Sequence, residues 1–126
     1  MKRNTILTVA ALLSLLLLTL HITDDIVRGI SPAESSNIAL IVLAILLYGT
    51  LVLRERRSGH LIMLLIGLLA AAMPVMHMRG AHYGEIAKSH GGFFFVWTLW
   101  ALGGLGGFTL ILSARGLWDL RRSRPR

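Results

Sequence analysis

Long uncharged runs separated by short charged links set the pattern of this chain. With histidine counted as neutral, the runs are Asn4 to Thr23, Ser35 to Leu53, Ser58 to Met78 and Ser89 to Ala114. The shortest has 19 residues. At about 1.5 Å per helical residue it covers roughly the 30 Å hydrocarbon core of a bilayer, provided that Arg54 extends toward water. The pattern predicts an all-α fold, an integral membrane antiparallel four-helix bundle with spans at about 5–23, 35–53, 60–78 and 92–113. No internal repeat or linker divides the chain, so residues 1–126 read as one domain.

The first run also has the basic start and apolar body of a secretory signal peptide. The segment HITDDIV that follows lacks a small-x-small cleavage pattern, so the run is read as a retained anchor. Cleavage there would leave three spans.

The links differ in character. In VRGISPAE, Gly29 suits a left-handed helix end, Ser31 a cap, Pro32 a first helical position and Glu34 a capping box, which predicts a tight hairpin with the second helix starting near Pro32. RERRSG is also short, whereas RGAHYGEIAKSHGG is long and polar and is the better place for a site. Pro74 removes a backbone hydrogen bond to Ala70 and predicts a kink in the third span. Phe93, Phe94, Phe95, Trp97, Trp100 and Trp118 read as interfacial anchors of the fourth. In its centre GGLGG sets Gly103 and Gly107 four residues apart, a face on which another helix of the bundle, a second copy or a larger membrane complex can pack closely.

Composition agrees with a lipid solvent: at 55% hydrophobic and 15% charged, a soluble domain of 126 residues would lack polar surface to cover its core. The net charge of +7 is a matter of topology. With the N-terminus inside, ten of the 13 basic residues fall on the cytoplasmic side, and Arg28, Arg79 and Lys88 remain outside. Both termini are therefore expected in the cytoplasm, the tail RRSRPR is a retention signal beside anionic lipid, and no nucleic-acid partner is expected. The setting is a cytoplasmic (inner) membrane of bacterial type.

Cysteine is absent, so a metal would have to use His, Met or carboxylate. His21, Asp24, Asp25, His77, Arg79, His82, Glu85 and His90 all collect at the outer level, while His60 reads as interfacial on the inner side. His21 shares a helix face with Asp24 and Asp25, and both carboxylates can reach Arg28. His21 and His77 lie at similar depth on helices one and three. They can ligate a haem iron or a transition metal, with His82, Asp24 and Asp25 as further donors and Met73, Met76 and Met78 as soft ones. The plainer alternative is a structural cluster in which Asp24 or Asp25 pairs with Arg28 or Arg79. No span holds a carboxylate of the kind proton-coupled export through a small bundle needs, and nucleotide-binding, kinase, serine-hydrolase and metalloprotease patterns are missing. The sequence thus points to a non-catalytic accessory or interaction subunit, with metal- or haem-based redox or transport as the alternative.

Overall fold

The computed structural model describes residues 3–31, 33 and 37–123. In chain order it has α1 (Arg3–Val27), α2 (Ile38–Leu53), α3 (Arg57–Met78), the short α4 (Tyr83–Lys88) and α5 (Gly92–Arg122), and no strand among the described residues. Three helices, α1, α3 and α5, are long and apolar enough to cross a membrane. The apolar α2 has 16 residues, which at ~1.5 Å each gives about 24 Å.

The helices do not contribute equally. α5 packs most extensively on α3 and next on α1, while α2 rests on the flank of α1 and α3. Along α1 the buried residues Leu7, Ala11, Ser14, Leu18, Ile22 and Asp25 recur every three or four positions, which places them on one face. With Leu15, Met63, Ile66, Ala70, Leu102 and Leu46 they build the core. α2 buries just Leu46, Gly49 and Thr50. The bundle is therefore a three-helix core with a fourth helix laid against it, not four equivalent helices.

Between helices packed side by side, backbones approach closely where α3 meets α5. A Cβ on Gly67 would sit 2.6 Å from the Leu110 nitrogen, and one on Gly106 would sit 2.5 Å from that of Ala71. Larger residues would force the helices apart. The buried stripe of α5 runs through Leu99, Leu102, Gly106, Thr109, Ser113 and Gly116 in alternating steps of three and four. Gly103 and Gly107 each lie one residue off it. Gly103 still faces α3, since a Cβ there would come 2.9 Å from the Pro74 ring, but one on Gly107 would meet nothing within 4 Å. The close-packed pair is thus Gly103 and Gly106. α3 stays helical through Pro74, whose ring occupies the space that the missing Gly103 side chain leaves.

The helix ends obey local chemistry. Gly29 has φ +74°, and the amides of Gly29 and Ile30 donate to the carbonyls of Ile26 and Asp25, the paired bonds of a Schellman ending. The next helix is capped later than the Ser31 to Glu34 pattern suggests: Asn37 accepts from the Ala39 amide at 2.9 Å and donates to Ser31 Oγ at 3.0 Å. Pro32 and Glu34 lie outside the described residues. At the opposite end of the bundle, Arg3 and Asp119 form an ion pair that ties the start of α1 to the end of α5. His60 is buried, 3% exposed, with its Nδ1–H donating to the Arg56 carbonyl and its ring against Gly116, so it is a packing residue rather than an interfacial one.

Candidate metal centre

Near the α4 end of the core, α1 contributes His21 and Asp25 from successive turns of one face, and α3 contributes His77 from its last turn. The two Nε2 atoms are 3.4 Å apart. His77 Nε2 lies 3.4 Å from Asp25 Oδ2, and His21 Nε2 lies 3.9 Å from Oδ1. One donor atom from each residue falls within a 4.8 Å circle. The His21 side chain is fully enclosed, with Asp25 11% and His77 20% exposed, so access is from the His77 side.

The surroundings fix which ring nitrogens carry hydrogen. His77 Nδ1 stands 3.1 Å from the Met73 carbonyl, which accepts and never donates, so Nδ1 bears the proton. Thr98 Oγ1 donates its single hydrogen to the Phe95 carbonyl at 3.0 Å, which leaves it to accept from His21 Nδ1–H at 3.2 Å. Each neutral imidazole then presents a bare Nε2 lone pair. With both imidazoles neutral, two lone pairs and a carboxylate converge, whereas a hydrogen on His77 Nε2 would be donated to Asp25 Oδ2 at 3.4 Å; Asp25 Oδ1 is a buried acceptor without a hydrogen-bond partner among the described residues. Such a convergence is stable around a shared cation, whether a metal ion or a proton.

The spacing suits a small ion. Two nitrogens bound at about 2.0–2.1 Å to a tetrahedral centre stand roughly 3.3 to 3.4 Å apart. Both rings also donate their other nitrogen to a fixed acceptor, as metal-ligating histidines commonly do. Haem fits poorly. Its axial nitrogens lie on opposite faces of a flat macrocycle, roughly 4 Å apart, whereas these rings meet edge-on with centroids 4.7 Å apart and an interplanar angle of 78°. Phe95 fills the remaining side, 5.2 Å from the His21 ring and 5.7 Å from that of His77.

The other residues singled out in the sequence lie elsewhere. Asp24 turns to Arg28, whose Nε donates to it at 2.7 Å, so the adjacent aspartates divide into an ion-pair member and a cluster member. Arg28 continues to Ser89 Oγ at 3.0 Å. His82 is exposed and pairs with Glu85 at 3.3 Å. Met73 contributes its backbone carbonyl, and Met76 is 66% exposed. Arg79 is exposed and makes no ion pair among the described residues. Conversely, Phe95 is 1% exposed beneath the histidines instead of anchoring in an interface, and Thr98, which positions His21, went unmarked in the sequence. Its signal was modest: a hydroxyl one turn after Phe95 on the same face.

Beside the cluster lies an open cavity of about 700 Å³, lined among others by Arg28, Ile30, Met76, His77, Tyr83 and Ile86. His77 and Phe95 belong both to its wall and to the surroundings of the cluster. Comparison with protein families, with curated proteins and with solved structures finds no match to this chain. The chain is a helical protein with candidate membrane-spanning helices and a largely buried His/Asp cluster.

Proposed function

We propose that this is a four-span membrane protein, with both termini cytoplasmic, that holds one divalent transition-metal ion of the zinc class between His21, Asp25 and His77 at the outer end of the bundle. The observation that carries the reading is the convergence of His21 Nε2, His77 Nε2 and the Asp25 carboxylate, with both Nδ1 hydrogens committed elsewhere. Two imidazoles and a carboxylate suit zinc, ferrous iron or cobalt better than the softer copper(I), and the methionine sulfurs are not needed. Membrane crossing is supported by the three long apolar helices and by exposed Leu16, Ile45, Tyr48, Leu68, Trp100 and Ile111 around the bundle. The ten-to-three division of basic residues supports the orientation, and α2 completes the fourth crossing with Arg54 reaching to the interface.

Metal analysis of protein purified in a non-ionic detergent tests the reading. About one zinc or cobalt per chain is expected in wild type, and cobalt should give the intense visible absorption of a tetrahedral centre. His21→Ala, His77→Ala and Asp25→Asn should each lose the ion while eluting as folded protein. Wild type that takes up neither metal would overturn the reading.

A further inference from the structure

We infer that the cavity beside His77 receives a long-chain carboxylate, whose head completes the coordination of the ion and whose tail lies along the apolar wall. The inference rests on the metal reading above. Three protein donors leave a tetrahedral ion one open position, as in zinc sites that accept an exogenous ligand. Asp25 cancels one of the two charges of a divalent ion. The neighbouring carboxylates are already engaged, Asp24 by Arg28 at 2.7 Å and Glu85 by His82 at 3.3 Å. One positive charge is therefore left over in a largely apolar setting, where an anionic donor is favoured over a neutral one.

The cavity supplies what such a donor needs. Arg28 lines it with Nε on Asp24 and Nη1 on Ser89, while Nη2 has no hydrogen-bond partner among the described residues. That group can take the second carboxylate oxygen. Ile30, Met76, Tyr83 and Ile86 form walls for a hydrocarbon tail, and the volume of about 700 Å³ lies within the usual range of small-molecule sites. A bilayer delivers amphiphiles to such a place directly. A short water-borne carboxylate shares the head chemistry but gains nothing from the walls.

Cobalt-loaded protein in dodecyl maltoside can be titrated with dodecanoate and, separately, with acetate, following the visible cobalt spectrum. Saturable spectral change is expected with dodecanoate, with acetate weaker by more than about a hundredfold because it buries no methylenes. Ile86→Trp and Met76→Trp, which fill the cavity from different walls, should keep one cobalt per chain and lose the dodecanoate response. Arg28→Gln should weaken it about tenfold, as for loss of a charge-assisted bond. Cobalt binding with no spectral response to dodecanoate would overturn the inference and leave the metal reading standing. Equal potency of acetate would overturn the tail site, and failure to bind cobalt would remove the metal reading itself.

Discussion

Thr98 has one hydroxyl hydrogen and gives it to the Phe95 carbonyl, so the identity of the bare nitrogen on His21 depends on a side chain that touches no ligand position. Thr98→Val should therefore leave the fold intact and weaken metal binding about 10- to 100-fold, as expected for loss of an outer-shell partner. Thr98→Ser should restore it, measured by competition with a chromophoric chelator. The two aspartates make an equally local test. Asp25→Asn should lose the ion, whereas Asp24→Asn should retain it and lower stability by about 1 kcal/mol through the broken pair with Arg28. The shared level of His21 and His77, and the choice between i+3 and i+4 carboxylates, could be framed from spacing alone. What spacing could not give was the rotation of α1, which turns Asp25 inward and Asp24 toward Arg28. Phe95 was hidden for a related reason: it sits in a run of aromatics whose exposed members, Phe93 and Trp97, do resemble interfacial anchors.

Among the elements, α3 and α5 carry the tightest constraint. Gly106→Leu would drive a side chain into the α3 backbone and should destabilise the bundle by about 1 to 3 kcal/mol or more. Gly107→Leu, with nothing within 4 Å of its Cβ, should be nearly neutral. Thermal melts of both variants in the same detergent make the comparison, and equal destabilisation would place the contact face elsewhere. The glycine motif was visible in the sequence, but its register was not. A helix that is apolar on every side gives no polar face from which to infer its rotation, so 103/107 and 103/106 are equally good patterns until α3 is present. The start of α2 falls later than the sequence pattern predicts: Ser31 and Glu34 offer a complete capping pattern, whereas the cap in the structure is Asn37, a residue with no flanking signal beyond its own type.

For the protein as a unit, the ion pair of Arg3 with Asp119 ties the start of α1 to the end of α5. A reporter fused after Arg126 should be active in the cytoplasm and silent on the far side, and the opposite result would refute the proposed orientation. That the uncharged runs form helices could be read from the sequence, because apolar runs of this length favour continuous helix with its backbone hydrogen bonds made within the segment. The unequal packing was only partly legible. α2 is the most apolar of the long helices, and it is the small residues of α3 and α5, together with the hydroxyls Ser14 and Thr109 that meet at 3.2 Å between α1 and α5, that draw these three together and leave α2 outside.

The division of the centre among helices has a consequence for biogenesis. Its proposed ligands arise on α1 and α3, but Phe95 and Thr98, which close the site and set the tautomer of His21, belong to α5, which is synthesised after both. A nascent chain halted before Gly92 would hold all three ligands and still lack the wall that orders them. Under the proposed metal reading, tight capture of an ion would therefore have to wait for α5.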